Sequence, residues 1–419
     1  MATLKNFWQF ITDTLRIITT GSRYYYAWVG FLLLLIVVGS LAYAGQLRNG
    51  LIVTQMRDQV SWGFYIGNFT FLVGVAAAAI MLVIPAYIYD WEPIKEITIL
   101  GEMLAISALI MCLGFVMVDI GRPDRFWHIM PLVGSLNWPQ SMLAWDVLVL
   151  NAYLLLNYFV VTYLLFCAYT ERHYVKKIVT PLVLLSIPMA VSIHTVTAYL
   201  YNGLGARPFW NSAILAPRFL ASAFCSGPAI LLILLQVLRK TTKLSIKDEA
   251  IFKIAELMAY TMGFNLFLTA AESFKELYSG TEHMVYFQYL LFGLKGHNTL
   301  VPYAWASIIF GFVAFILFLV PRFRTNWVTL NIGCVLIYAS VYIEKGMGLI
   351  IPGLTPDALG EIFVYTPSFT EIAVAAGIFA IGFLAFTLML KAAVPMMLGE
   401  FTISRGRKAS DHQEAERPA

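Results

Sequence analysis

Long apolar stretches separated by short polar segments run along almost the whole chain. Each stretch has the roughly 17–25 residues that an α-helix needs to cross the hydrocarbon core of a bilayer. The pattern therefore predicts an all-α fold, a polytopic membrane helix bundle with about ten transmembrane helices. We place the ten spans near residues 26–45, 63–89, 97–118, 142–168, 180–203, 213–238, 250–271, 301–320, 327–343 and 370–395.

Two further segments are apolar without being predicted spans. Large apolar residues recur at near-helical spacing ahead of the first span, which predicts an interfacial helix over 1–23. A signal peptide is the alternative, because Ala42-Tyr43-Ala44 resembles a cleavage site. The apolar run and the charged region before it are both longer than in a typical signal, which favours the helix. Met284–Leu294 is too short to span and predicts a re-entrant, interfacial or covered helix.

Composition excludes several classes of protein. The 419 residues are 60% hydrophobic and 12% charged, with a mean hydropathy of +0.76, whereas about 25% of the residues in a soluble domain are charged. A water-soluble enzyme, a disordered chain, a coiled coil and a nucleic-acid module are all excluded. We therefore expect membrane lipid, and no nucleic acid, around this chain.

The distribution of positive charge predicts the orientation in the membrane. Of the 28 lysine and arginine residues, 19 lie in the two termini and in the loops on their side, and nine lie on the other side. Positive residues favour the cytoplasm, so both termini are predicted to be cytoplasmic. Residues 24–397 then form the transmembrane domain, 398–419 form a disordered cytoplasmic tail, and the loops at 119–141, 204–212, 272–300 and 344–369 face outward.

Ionisable residues inside the spans are the strongest functional signal, because such groups are costly in a bilayer and are usually functional. In the predicted topology they gather toward the outer face from seven different helices, which predicts one site. The residues are Asp119, Asp146, His194, Arg218, Glu272, Glu276, Glu344, Lys345 and Glu371.

Each of these residues also has a purely structural interpretation. Asp119 and Arg122 could be loop charges that pair with Asp124 and Arg125, and Glu344 could pair with Lys345. Arg218 could extend its charged end to the membrane surface. His194 is the one histidine within a predicted span, and it needs at least a hydrogen-bond partner there.

The sequence offers no set of ligands for a metal ion or a haem. The cysteines at 112, 167, 225 and 334 form no C-x-x-C pair and are expected to be buried, unpaired thiols. The five other histidines lie outside the spans, so two axial haem ligands cannot be assembled within the membrane. We expect neither a metal nor a redox cofactor in this chain.

A quinone fits an apolar cleft with these polar groups. Its tail partitions into lipid, its carbonyl oxygens need donors, and each reduction consumes two protons. His194 could supply one proton and an aspartate could relay the other, so the groups predicted for binding and proton transfer are His194, Asp119, Asp146, Arg218, Arg122 and Glu272. The ring could be flanked by Trp62, Trp145, Tyr199, Tyr201 and Trp210, which could equally form an interfacial aromatic belt.

Four polar residues lie deeper and suggest a proton path toward the cytoplasm: Glu256, Asn157, Asn265 and Asn68. The structural alternative is that Glu256 bonds across helices and that the asparagines hold the bundle together.

Several stretches resemble the NrfD/PsrC family of membrane subunits from bacterial respiratory complexes. The longest are Trp62-Gly-Phe-Tyr-Ile, Val118-Asp-Ile-Gly-Arg-Pro-Asp-Arg-Phe-Trp-His128, Ser192-Ile-His-Thr-Val-Thr-Ala-Tyr-Leu-Tyr201, Ala216-Pro-Arg-Phe-Leu-Ala-Ser-Ala-Phe-Cys-Ser-Gly-Pro228, Glu344-Lys-Gly-Met-Gly-Leu-Ile-Ile-Pro-Gly353 and Tyr365-Thr-Pro. The resemblance covers nearly the whole chain from the first span onward. It is closest to ten-helix members from complexes of sulfate reducers and sulfur oxidisers.

The resemblance implies a subunit that binds quinone, with menaquinone as the expected type, near the outer face of the bacterial inner membrane. It also implies a periplasmic iron–sulfur partner that exchanges electrons with multihaem cytochromes c or with other subunits. The family's quinone position matches His194, Asp119 and Asp146, with Arg218 nearby. A transporter or ion channel is the alternative, but transporters usually carry their polar groups at the midplane.

Overall fold

The computed structural model describes residues 2–95, 97–130, 133–281 and 283–403. Within these ranges ten helices are long and apolar enough to cross a membrane. No strand forms there apart from a single bridge between Leu294 and His297. The predicted all-α bundle of ten spans is therefore confirmed. Most of the predicted tail, and Glu282 in a predicted outer loop, lie outside the described residues.

The helices are labelled in chain order. They are α1 (Ala2–Thr19), α2 (Arg23–Asn49), α3 (Phe64–Ile88), α4 (Thr98–Asp119), α5 (Met142–Tyr169), α6 (Lys176–Asn202), α7 (Leu215–Thr241), α8 (Asp248–Ser279), α9 (Met284–Leu291), α10 (Val301–Leu319), α11 (Trp327–Lys345), α12 (Met347–Leu354) and α13 (Phe369–Met397). Short turns of helix at Leu51–Val53, Glu92–Lys95, Pro123–Ile129, Pro208–Trp210 and Pro321–Arg324 lie between them.

The ninth span is longer than the sequence predicts. Gly346 leaves the helical conformation, with φ −81° and ψ −115°, but α12 resumes at once and the span ends only at Leu354. Residues 344–354 were expected in an outer loop, and that boundary is wrong. Glu344 and Lys345 therefore lie within the span.

The spans pack as two groups. The first bundle contains α2, α3, α4, α5, α6 and α13, and the second bundle contains α7, α8, α10 and α11. The junction is formed mainly by α3 and α7, where small residues bring the two helices together. A Cβ on Gly227 of α7 would lie 3.1 Å from the Cα of Ala78, so that position is held to glycine by backbone proximity.

Each end of the bundle has its own set of loops. The N-terminal face carries α1 and the described parts of 89–97, 170–175, 242–247, 320–326 and 398–403. Here α1 packs against the end of α5, where Tyr169 donates a hydrogen bond to Asp13 at 2.6 Å. The opposite face carries the described parts of 50–63, 120–141, 203–214, 280–300 and 355–368.

The short apolar segment at 284–294 forms α9, on the opposite face. It packs against α8, α10 and α12, and its residues Phe287 and Tyr289 are buried. Of the three predicted alternatives, the covered helix is the one that the structure shows.

Candidate functional site

His194 lies on the inner face of α6. Thr197 and Tyr201 share this face, because residues three or four positions apart stack on one side of a helix. The imidazole is 1% exposed, and its Nδ1 lies 2.8 Å from the carbonyl oxygen of Ala190. Its Nε2 is buried and has no hydrogen-bond partner among the described residues. That atom is available to a molecule entering the bundle.

Asp146, one turn into α5, is joined to the same face of α6. Thr197 donates a hydrogen bond of 2.9 Å to its Oδ1, and the carboxylate is 1% exposed. Asp119 ends α4, and its buried Oδ1 has no partner within the described ranges. His194, Asp146 and Thr197 form what we call the first-bundle cluster. Thr197, one turn beyond His194 on α6, thus links the face that carries the imidazole to Asp146.

An aromatic group lies toward the opposite face above this cluster. The rings of Trp62, Tyr201 and Trp210 pack with centroids 5.2 to 5.7 Å apart. Tyr201 also shares a hydrogen bond with Thr70 of α3. The other two predicted aromatic residues are elsewhere. Trp145 packs against Trp138, and Tyr199 is 46% exposed on the outer side of α6.

Arg218 and Glu272 lie in the second bundle, away from His194. Arg218 of α7 forms ion pairs with Glu272 of α8 and, at 2.7 Å, with Glu344 of α11. Asn265 and Thr269 donate further hydrogen bonds to Glu344, at 3.2 and 3.3 Å. We call Arg218, Glu272 and Glu344 the second-bundle trio. The structure thus divides the single predicted site into two clusters.

Lys345 lies between the two clusters. It is 3% exposed, donates a hydrogen bond of 2.6 Å to the carbonyl oxygen of Phe219, and interacts electrostatically with His194. The predicted Glu344–Lys345 pair is wrong, because neighbouring helical residues point about 100° apart. Glu344 therefore faces Arg218, while Lys345 faces the junction of the bundles.

Arg122 does not reach either cluster. It is an exposed loop residue that pairs with Asp124 at 3.1 Å. The hydrogen bond from Arg122 lowers the pKa of the Asp124 carboxyl below its usual range. The structural interpretation as paired loop charges is thus correct for Arg122 and Asp124. It is wrong for Asp119, whose Oδ1 is buried and has no partner in the described ranges.

The four residues of the predicted proton path do not line up. Asn157 donates to the carbonyl oxygen of Tyr153 at 2.8 Å, and Asn68 accepts a hydrogen bond of 2.7 Å from Tyr342. Asn265 belongs to the second bundle. Glu256 opens to the surface near the N-terminal face, where it interacts with Lys253, Tyr260 and Arg324. The expectation that Glu256 lies deep in the bundle is wrong.

Glu102 is a buried carboxylate that the sequence reasoning missed. It lies on α4, is 4% exposed, and its Oε2 has no partner in the described part of the chain. It interacts electrostatically with Tyr87 and Tyr153, and the hydroxyl of Tyr153 also lacks a partner there. The available signal was a single acidic residue within the apolar run 97–118.

The structure also shows how the potential metal ligands are arranged. All four cysteines are free and buried. Across the described ranges, no three histidine, cysteine, aspartate or glutamate side chains are grouped so that they could hold a metal ion.

Comparison with known proteins identifies the family. The polysulphide reductase NrfD family matches residues 52–356. A protein of Halobacterium salinarum, named for the membrane subunit of dimethyl sulfoxide reductase, is 26% identical over 85% of this chain and 88% of its own length. The Hdr-like menaquinol oxidoreductase integral membrane subunit of Archaeoglobus fulgidus is 24% identical over 88% of this chain and 92% of its own.

A selenate reductase subunit of Mesobacillus selenatarsenatis is a third relative, 25% identical over 61% of this chain and 67% of its own length. The matched family segment contains α3 through α12, and hence both polar clusters and the lysine between them. This multi-pass membrane protein therefore belongs to the polysulphide reductase NrfD family.

Proposed function

We propose that this chain is the quinone-reactive membrane subunit of a multisubunit respiratory oxidoreductase in the bacterial inner membrane. It exchanges electrons between the quinone pool, with menaquinone as the proposed type, and an iron–sulfur subunit at the opposite face. Support comes from the relatives, one of which is named as a menaquinol oxidoreductase subunit and two as subunits of reductases. We further propose sulfate- or sulfur-linked anaerobic respiration as its setting.

The observation that carries this proposal is the free Nε2 of His194, on the face of α6 where Thr197 binds Asp146. A quinone becomes a quinol by taking up two electrons and two protons, one proton on each carbonyl oxygen. His194 can hydrogen-bond one oxygen and transfer a proton to it. Asp146, held by Thr197, is placed to supply or receive a second proton. Trp62, Tyr201 and Trp210 can pack against the ring.

The electrons must pass to a partner, since we propose that this chain holds no redox group of its own. An iron–sulfur subunit on the opposite face would be the nearest acceptor or donor, and multihaem cytochrome c and other subunits would continue the path. Several large apolar side chains on that face are exposed and offer contact area. They are Trp127, Met130, Val133 and Leu359.

We propose that the N-terminal face is cytoplasmic. The excess of lysine and arginine on that side supports this orientation. The first-bundle cluster would then lie in the periplasmic half of the membrane, because His194 and Asp146 are close to the opposite-face ends of their helices.

We also propose that protons from the cytoplasm reach the first-bundle cluster through the first bundle. At a rise of about 1.5 Å per residue, Asp146 lies about 6 Å, Tyr153 about 17 Å and Asn157 about 23 Å below the opposite-face end of α5. Glu102 lies about 26 Å below the corresponding end of α4. These four side chains are buried and spread across much of the hydrocarbon thickness.

Exchange of His194 for alanine tests the proposed function. In the assembled complex, His194→Ala should lower quinone-dependent electron transfer by about a hundredfold, the usual scale for loss of a proton-transfer group. His173→Ala is the matched control, since His173 is exposed on the N-terminal face. The composition and the thermal stability of the complex would be measured for both variants. Normal turnover with normal quinone affinity in His194→Ala would refute the proposal.

A further inference from the structure

The second bundle contains a cavity that the first-bundle cluster does not use. It has two adjoining chambers beneath α9, of about 280 Å³ and about 80 Å³. Leu290, Ala304, Ile343 and Gly348 line both chambers, so the two lie side by side. The larger chamber reaches the surface beside Thr299 and Tyr303, and the smaller one ends at Arg218 and Glu344.

The walls are mostly apolar, and several of their polar groups are already engaged. Ser307 and Ser340 donate to each other's carbonyl oxygens, both at 2.8 Å. Tyr342 donates to Asn68, and Tyr365 donates to Glu371. The Nε–H of Arg218, by contrast, is buried and has no partner among the described residues. The smaller chamber thus has one free hydrogen-bond donor at its inner end.

Charge balance restricts what this donor can bind. The guanidinium of Arg218 already faces two carboxylates, Glu272 and Glu344, so the trio has no excess positive charge if both are ionised. Lys345, which interacts electrostatically with Glu344 and Arg218, brings the group to two cations and two carboxylates, so a phosphate or carboxylate head group finds no excess positive charge there. A neutral carbonyl oxygen would instead satisfy the free donor without adding charge.

The size and shape of the larger chamber also favour a neutral ring compound. A cavity of about 150 Å³ is enough for one benzene ring, so the larger chamber can hold a flat ring system. Tyr303, Tyr342 and Tyr365 line it, and Tyr303 is 59% exposed beside the opening toward lipid. A hydrocarbon tail could leave the bundle there.

We propose that this cavity is a second binding site for a neutral, lipid-soluble carbonyl compound of the quinone class, separate from the first-bundle cluster. The inference rests on the proposed function. The carbonyl oxygen of the bound molecule accepts the hydrogen bond from Arg218 Nε, and its ring lies beneath α9. Each chain then binds two such molecules, one in each bundle.

The test counts menaquinone-4 bound to the purified, delipidated complex by extraction and mass spectrometry. The wild type should bind two molecules for each copy of this chain. Ala304→Phe fills the cavity and should bind one, while retaining quinone turnover through His194. Ala306→Phe, on the same helix but outside the cavity lining, should still bind two.

Two outcomes would overturn the inference: two molecules bound in Ala304→Phe, or loss of phospholipid rather than menaquinone-4 from that variant. If Ala304→Phe does not assemble, Arg218→Lys replaces it, because lysine keeps the charge but lacks Nε–H. That variant should bind the second molecule at least tenfold more weakly, and unchanged affinity would contradict the proposal. Loss of turnover in His194→Ala, by contrast, tests only the proposed function of the first-bundle cluster and not the second binding site.

Discussion

Carboxylates within the spans of this protein have two different environments. Glu272 and Glu344 are paired with Arg218, whereas Glu102 has neither an ion pair nor a hydrogen-bond partner for its Oε2 in the described structure. An ionised carboxylate without a partner is very costly in an apolar interior. Glu102 is therefore expected to be neutral at rest and to gain or lose a proton only during function.

Glu102→Gln should separate proton movement from quinone binding. Glutamine keeps the shape of the side chain but cannot release a proton. We expect charge movement across reconstituted vesicles during quinone turnover to fall by about tenfold or more, with quinone affinity unchanged.

Glu256→Gln is the matched control, because Glu256 is a surface-facing residue with its own ion-pair partners. It should leave both measurements at the wild-type level. Equal charge movement in Glu102→Gln and the wild type would show that Glu102 is structural.

The sequence predicted which residues are polar within the membrane, but not which of them face one another. The sequence placed His194 and Asp146 near the same end of their spans, but the link through Thr197 is visible only in the structure. Arg218 was assigned to the same site on depth alone, and depth does not say toward which neighbour a side chain points. Lys345 was misjudged for the same reason, since one residue along a helix changes the direction by about 100°.

Among the helices, α2 and α13 approach each other closely at a pair of glycines. A Cβ on Gly39 would lie 2.7 Å from the Cα of Gly377, and one on Gly377 would lie 2.9 Å from the Cα of Gly39. Only glycine fits at both positions without moving the helices apart. Close backbone contact of this kind is a main source of association between membrane helices.

Gly39→Val should therefore destabilise the contact between α2 and α13. We expect a loss of about 1–3 kcal/mol, the usual cost of overpacking, seen as a lower thermal unfolding temperature of the purified protein. Gly45→Val on the same helix is the control, because a Cβ there meets nothing within 4 Å. Similar melting temperatures for the two variants would contradict this interpretation.

The length of the apolar runs predicted which helices exist, but it predicted less well where each helix ends. The ninth span was predicted to end at residue 343, yet Glu344 and Lys345 both lie within it and α12 continues beyond them. An ion pair formed with another helix removes the penalty that hydropathy assigns to a charge. A single sequence does not show that pairing.

At the scale of the whole molecule, the number of spans follows from hydropathy, but the division into two bundles does not. Lipid-facing and helix-facing surfaces are both apolar, so the pattern does not reveal which spans are neighbours. Contacts such as those of α2 with α13, far apart in the chain, emerge only in the structure.

The proposed orientation predicts which face is reached from outside the cell. Leu359→Cys, at an 84% exposed position on the opposite face, should react with a membrane-impermeant thiol reagent added to intact cells. Lys243→Cys, exposed on the N-terminal face, should react only after lysis. The native cysteines are buried and should contribute little background. The reverse pattern would invert the proposed topology.

A crosslinker attached to the cysteine introduced by Leu359→Cys or by Lys243→Cys would locate the partner subunit. Leu359→Cys should link to the iron–sulfur subunit in the assembled complex, and Lys243→Cys should not. Links obtained only from Lys243→Cys would place the partner on the N-terminal face.

The second-bundle trio also bears on how the chain enters the membrane during synthesis. Arg218 and Glu272 belong to consecutive helices, so α7 and α8 can insert as a hairpin whose charges already neutralise each other. Glu344 arrives only after two further spans have been made, and it must find a guanidinium that is already engaged. α11, which carries Glu344 and is the last helix of the second bundle to be made, thus packs against an ion pair that has already formed. We therefore expect the α7–α8 hairpin to form before α11 docks, with the ion pair of the hairpin as the contact that receives Glu344.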